Sequence, residues 1–505
     1  MFIKNAIYKF GSYIIITILT LSSVPIIINN LGIDRFGFVG VINSIVAYIS
    51  IVTISITSTL SRNIIFAIKK NDIIGANKEF NSVIILLFLL SLILIPVFFK
   101  YSPLVIYELN VPINYYDEAS FLLNSSIVVF FISTLSSVFS SLFVVKNKLY
   151  LQSNSDFINK FSLYTFAILS IVFYDKSLYA YAYAYALIIS SIMTIIYNVV
   201  LSNRLLAEIK IKINIFSFSF IKIKNNFHLS FWMIINQIGA VLYSQSSIII
   251  ISKYFGSKEA GIYALIMIIA NQIRSIGFIL SSLFQTILMN KISEGDIFSA
   301  NKYLLKSVFF INISISFVCG MYIGHADSVL NIWVGNVTNK IYFSSILVTI
   351  YLPFTVSMSP IFIYLMAFKD IKKVGLLTLF FGVLNFLLCF FLANFNYINM
   401  YGIIMITMII LVIQNNIILP RFLIVYNVNI KKINKIHLTG MGYMFFVYVI
   451  SSYISKIIKC NNYFELVISL ILSVVIISFI TYLYLAIKIR SFNVINIIRS
   501  DNDFS

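Results

Sequence analysis

The chain has 505 residues, of which 60% are apolar and only 10% charged, and its mean hydropathy is +0.98. That balance excludes a soluble protein with one buried core and indicates a polytopic membrane protein. A net charge of +19 suits nucleic acid only when it is clustered on a water-exposed basic domain; the sequence offers no such domain, so no nucleic-acid partner is expected.

Apolar runs long enough to cross a bilayer recur fourteen times. The first, near 8–30, follows Lys4 and Lys9 as a signal peptide would, but it is long enough to span and no small-residue cleavage pattern follows. It is expected to remain as a first helix. Runs near 38–60, 81–99, 119–145, 157–174 and 177–200 come next, the fifth having the weakest pattern, with Lys160 near one end. The sixth opens on the alternating stretch from Tyr179 to Ala186, which looks like a strand. An isolated strand cannot span lipid, so a helix is expected, its four tyrosines forming an interfacial belt. A second set follows near 228–251, 261–288, 303–324, 341–367, 374–394 and 402–420, and two further runs near 437–455 and 463–487. Pro25, Pro353 and Pro360 are the bend candidates. Cys319, Cys389 and Cys460 have no paired spacing and suggest neither a disulfide framework nor a metal site. The lone tripeptide Asn336-Val337-Thr338 is too short a pattern to argue glycosylation.

The second set repeats the first. Slid by 224 residues without a gap, Leu31 to Gly37 falls on Phe255 to Gly261, and Asp72 to Lys78 falls on Asp296 to Lys302, with five of seven residues identical in the latter block. A duplicated membrane unit is the simplest source of such a match. Because six spans are an even number, the repeats are parallel, and two lobes around a central cavity are expected. The expected division is residues 1–224 for the first lobe, 225–430 for the second, and 431–505 for two extra helices and a tail. The loop from Ser202 to Asn226, with five basic residues, is the expected seam.

Charge sets the orientation. With the N-terminus in the cytoplasm, 27 of the 36 basic residues fall in inner segments and 8 in outer ones, while acidic residues divide almost evenly. This positive-inside asymmetry predicts a cell-membrane protein with both termini cytoplasmic and an inner face that attracts anionic lipids.

Arg274 is the one basic residue left over, deep in the eighth run and roughly 20 Å along a helix from Gly261. A cation at that depth costs at least about 2.5 kcal/mol in lipid, so it must face protein or water. Asn271, Arg274, Ser275, Ser281, Ser282 and Gln285 fall on one helical arc, with Phe278 among them. The second run carries a similar stripe of Asn43, Ser50, Thr57, Ser58 and Ser61, and the seventh adds Asn236, Tyr243 and Ser247. Three such stripes predict a hydrated cavity, although Ser, Thr and Asn also serve as interhelical glue. Arg62 closes the second run and suits either a lipid phosphate or a substrate. Arg35, Lys253 and Lys258 sit at helix ends, where snorkelling is the default, and His228, His325 and His437 are isolated. No span holds paired carboxylates, no catalytic triad is visible and no phosphate-binding Gly loop occurs. An enzyme and an ATP-driven pump are therefore both disfavoured. A lone arginine in a polar cavity suits an anion, and phosphate pairs with guanidinium bidentately.

Leu31-Gly32 to Phe36-Gly37, Ser61-Arg62 and Phe255 to Tyr263 resemble the Wzx-type polysaccharide flippases of the multidrug/oligosaccharidyl-lipid/polysaccharide exporter superfamily. The resemblance covers nearly the whole chain in length and helix arrangement. It implies a substrate, an oligosaccharide linked by pyrophosphate to a polyprenyl lipid, moved to the outer leaflet by alternating access for O-antigen or capsule synthesis. It implies no bound cofactor, a coupling cation such as H+ or Na+, and a polysaccharide polymerase and chain-length regulator as partners. Arg274, Asn271, Gln285, Asn43, Asn236, Tyr243 and Arg62 are the expected substrate-binding residues. The competing readings are a drug or cation antiporter of the same fold and a membrane polysaccharide polymerase.

Overall fold

The computed structural model describes residues 2–489 except 110, 176–177, 215–216, 336–337, 369 and 459. The Asn336-Val337 part of the glycosylation pattern thus lies outside the described residues. The described chain is all helical, with fourteen helical segments long and apolar enough to cross a membrane. The first six are α1 (Phe2–Leu31), α2 (Ile33–Lys69), α3 (Ile73–Glu108), α4 (Tyr116–Val145), α5 (Leu149–Phe173) and α6 (Tyr179–Ile209). The next six begin with α7 (Phe220–Phe255), α8 (Ser257–Ser293) and α9 (Ile297–Val334). The tenth span is built from three pieces, α10 (Asn339–Ile350), α11 (Leu352–Val356) and α12 (Ser359–Ala367), and α13 (Ile371–Asn394) follows. The twelfth starts as α14 (Met400–Val412), opens into a π-turn at Ile413–Ile418 and finishes as a 3-10 segment at Leu419–Tyr426. Two further helices, α15 (Ile430–Ile457) and α16 (Tyr463–Ile489), complete the fold. The weakest sequence pattern, the fifth, is a full helix.

Helix boundaries recur at the offset seen in the sequence. α2 starts at Ile33 and ends at Lys69; α8 starts at Ser257 and ends at Ser293, each 224 residues further on. α3 and α9 start at Ile73 and Ile297 with the same separation, capped by Asp72 and Asp296, whose carboxylates accept from Gly75 N at 2.7 Å and Ser299 N at 3.0 Å. Such caps satisfy amides that a helix start leaves orphaned. The matching turns are single residues: Gly32 at φ 82° joins α1 to α2, and Gly256 at φ 88° joins α7 to α8. Both angles lie where only glycine sits without strain.

The repeated glycines one turn later hold the halves together. α2 crosses α8 so closely that a Cβ on Gly37 would strike the carbonyl oxygen of Ser257, and one on Gly261 would strike that of Ile33. The contact is reciprocal, as expected where an approximate two-fold axis passes between equivalent helices. Around it, Ser257 Oγ donates to Asp34 at 3.2 Å, Lys253 pairs with Glu108 at 3.0 Å and Ser44 Oγ donates to Gln245 Oε1 at 2.9 Å. Short connections make consecutive spans antiparallel, so this crossing lies on the side opposite the start of α1.

The five-of-seven block also has a structural role. Asn77 Oδ1 accepts from Lys212 N at 3.0 Å, and Asn81 accepts from Asn214 N at 2.8 Å while donating to Lys212 O at 2.8 Å. Ser82 Oγ accepts from Ser219 N at 2.8 Å. The chain leaving α6 is thereby strapped to α3. In the second half Asn301 donates to Tyr426 O at 2.8 Å, tying the end of the twelfth span in the same way.

Four expectations change. The connector between the halves is shorter than Ser202 to Asn226, because α6 continues to Ile209 and α7 begins at Phe220. The tyrosines do not all form a belt: Tyr179 and Tyr183 are buried, since residues four apart share the inward face of α6, whereas Tyr181 and Tyr185 pack on Phe121. Arg35 does not snorkel but forms a forked ion pair with Glu118, at 2.6 and 2.8 Å. Of the bend candidates, Pro353 and Pro360 open the pieces α11 and α12, whereas α1 continues through Pro25.

Candidate functional site

A cavity of about 710 Å³ lies inside the second half, lined by α7, α8, the three-piece tenth span, α13 and the twelfth span. Among the described residues, those that line it lie between Asn236 and Asn415. Glycine sets its walls. α7 and α13 meet backbone to backbone where a Cβ on Gly239 or Gly382 would strike the other helix, which places Asn236 and Thr378 side by side. α8 approaches α11 through Gly277, where a Cβ would meet Val356.

That approach brings Arg274 to Tyr351. One guanidinium nitrogen donates to the Tyr351 hydroxyl at 2.7 Å and another to Asn271 Oδ1 at 3.0 Å. Tyr351 is itself buried at the junction of α10 and α11, so the break in the tenth span supplies the arginine's anchor. Both partners are neutral, and among the described residues no Asp or Glu lines the cavity. The positive charge is therefore held in place without being neutralised, and the guanidinium commits only two of its five N–H donors to these contacts. Arg274 lies about 26 Å along α8, close to its middle.

The remaining lining is a mixture of amides, hydroxyls and rings. Asn236 Oδ1, Ser281 Oγ and Asn415 Oδ1 are buried without a partner in the protein. Groups of this kind need ligand or water to be satisfied. Tyr263 and Thr407, on the side of the glycine crossing, are 5% and 6% exposed, whereas Met366 on the side where α1 begins is 38% exposed and Gln285 is exposed too. The lining is thus buried toward the glycine crossing and more exposed toward the other side.

Of the residues expected from the sequence, Arg274, Asn271, Gln285, Asn236 and Tyr243 share this cavity. Asn43 does not line it; it is exposed on α2, and its neighbour Ser44 pairs with α7 instead. The side chain of Arg62 lies outside the described residues, as do those of Thr57, Ser58 and His228. Tyr351, Gln237, Ser244 and Asn415 were missed. The run Gln414-Asn415-Asn416 in an apolar segment was the available signal, and it coincides with the π-turn. Wide turns of this kind are frequent at functional sites.

The match to the family described as polysaccharide biosynthesis protein covers residues 2–288. The chain belongs to that family. Over 413 residues it is 24% identical to the uncharacterized membrane protein EpsK of Bacillus subtilis (strain 168), covering 81% of each chain. Its fold is shared with the lipid II flippase MurJ in an inward closed conformation, at a TM-score of 0.66 and 17% identity over 96% of this chain and 100% of that one. It is also shared with an inward-facing multidrug resistance MATE family transporter of the MOP superfamily, at a TM-score of 0.63 and 13% identity over 85% and 99%. The protein is thus a multi-pass membrane member of a polysaccharide biosynthesis family with the fold of flippases and multidrug transporters.

Proposed function

We propose that the protein is a flippase that carries a polyprenyl-pyrophosphate-linked oligosaccharide from the cytoplasmic to the outer leaflet for surface polysaccharide synthesis, O-antigen or capsule. The observation that carries this reading is Arg274, a cation held by two neutral partners in a cavity that no carboxylate lines among the described residues. Such a site attracts an anion and repels a cationic drug. The pyrophosphate pairs with the guanidinium, the sugars occupy the amide- and hydroxyl-lined wall, and the lipid tail stays in the bilayer. With the basic side of the bundle in the cytoplasm, the cavity is open inward and closed outward by the glycine crossing. Alternating access, coupled to a proton or sodium gradient, exchanges the two. The cell membrane is the site of action, with both termini cytoplasmic and anionic lipids against the basic face. A polysaccharide polymerase and a chain-length regulator are the partners this placement implies.

The test is complementation of a deletion strain. Arg274→Ala abolishes surface polysaccharide while membrane levels of the protein stay normal; full surface polysaccharide in the mutant overturns the assignment. A deletion strain that instead displays single repeat units indicates a polymerase, and one that gains only drug sensitivity indicates an antiporter.

A further inference from the structure

Behind the broken tenth span, on the side away from the cavity, lies a second polar cluster that the flippase reading does not use. His437 on α15 is 6% exposed, and Asn312 and Ser316 on α9 are 1% and 0% exposed. Asn312 Nδ2 faces three acceptors: Pro353 O at 3.1 Å, Ser357 Oγ at 3.4 Å and His437 Nδ1 at 3.3 Å. The Pro353 carbonyl can only accept, so the amide nitrogen points this way; its two hydrogens are shared among the three, and in this contact His437 Nδ1 is the acceptor. The ring proton therefore sits on Nε2, which has no partner. Asn312 Oδ1 and Ser316 Oγ also lack partners, and both converge on Gly440, one turn along α15, where a Cβ would strike the Asn312 oxygen.

The surroundings are uncharged. From α9 the cluster is formed by Asn312 and Ser316, from the α11 segment by Ser357 and by Phe354, whose ring stacks on the imidazole at 5.7 Å between centroids. On its own helix Lys431, Lys432 and Lys435 are exposed, as is Arg421 on the segment packed against α15. The ring lies about 10 Å from the start of α15, on the side where α1 also begins.

We infer that His437 is a proton-binding site that controls the break in the tenth span, and through it the anchor of Arg274. A proton arriving from the α1-start side adds to Nδ1, and both ring nitrogens become donors. Nδ1 then no longer accepts from Asn312 Nδ2. The amide turns over, presents its unpartnered Oδ1 to the new N–H and takes Nδ2 away from Pro353 O and Ser357 Oγ. Loss of the proton reverses each step. Pro353 and Ser357 belong to the short segment whose other face carries Thr355 and Val356 into the cavity, with Tyr351 at its start. Protonation thus unties that segment from α9 and frees the Tyr351 hydroxyl to move relative to Arg274. The role in transport rests on the flippase reading; the proton site itself does not.

The test needs no substrate. In the full chain with Cys460→Ser, Thr355→Cys reports the cavity face of the segment through its alkylation rate with a water-soluble maleimide in membrane vesicles, measured from about pH 3.5 to 8, a window wide enough for a histidine buried without a charged partner. The expected profile follows one titrating group, and His437→Gln flattens it. Asn312→Asp places a carboxylate beside the ring and moves the midpoint up by about one unit or more. A flat profile in the parent, an unchanged profile in His437→Gln or an unmoved midpoint in Asn312→Asp overturns the inference. Gel filtration and thermal unfolding of each variant establish that it is folded. Arg274→Ala in complementation tests the flippase reading separately, because surface polysaccharide in a deletion strain and maleimide alkylation in vesicles are independent readouts.

Discussion

Gly261→Ala tests the crossing of α2 and α8 directly. The added methyl lands on the Ile33 carbonyl oxygen, a backbone atom that cannot rotate aside as a side chain would. Overpacking typically costs about 1–3 kcal/mol, and a clash with backbone belongs at the upper end. At about 1.4 kcal/mol per tenfold change, some 3 kcal/mol lowers the population of the crossed state relative to the separated one about 100-fold. Thr407→Cys, at the closed end of the cavity, reads that change in a Cys460→Ser background. An impermeant maleimide applied from the side of the crossing should label it faster in Gly261→Ala by up to that factor. Gly442→Ala is the control, since nothing lies within 4 Å of a Cβ there. Gly37→Ala acts on the same crossing, so the double mutant should fall short of additivity. If Gly261→Ala labels no faster than Gly442→Ala, the crossing does not close the cavity.

Tyr351→Phe removes one charge-assisted bond to Arg274, about 1.5–3 kcal/mol for a hydrogen bond to a charged group. Complementation should weaken without being lost, whereas Arg274→Lys, which keeps the charge without the planar fork, should fall between the wild type and Arg274→Ala. The Tyr426 hydroxyl, 2.6 Å from Asp370, holds that carboxyl below its ordinary range, with Lys373 adding to the effect. Because the folded value is the lower one, the stabilisation is complete above the unfolded value, near pH 4, and is lost as pH falls through the folded one. Thermal unfolding in detergent should show an acid limb that is shallower in Asp370→Asn. Asp72→Ala deletes a helix cap and should cost about 1 kcal/mol in the same assay.

The fold was legible because lipid leaves a chain few choices: runs of sufficient length, spaced by short polar turns, must become antiparallel helices. The Gly and Asp-Ile-x-x-Ala-Asn-Lys matches marked real turns, caps and straps, since their Gly, Asp and Asn residues each do a local backbone job. The lining of the candidate cavity was legible only on its regular parts. Asn271, Arg274 and Gln285 share one face of an unbroken helix, which a 3.6-residue period reveals. Tyr351 and Asn415 reach the cavity from a helix break and a π-turn, where that period fails. Asn43 is exposed on α2 and does not line this cavity, while its neighbour Ser44 meets α7.

The strap at Asn77, Asn81 and Ser82 bears on how the chain is made. All three residues are synthesised well before the segment from Lys212 to Ser219 that they bind. During synthesis the first six helices therefore wait with open amides on α3, and closure comes only when the connector emerges, just ahead of α7. The first six helices thus receive their last polar tie from the residues that lead into α7, so the end of one half is joined to the start of the other.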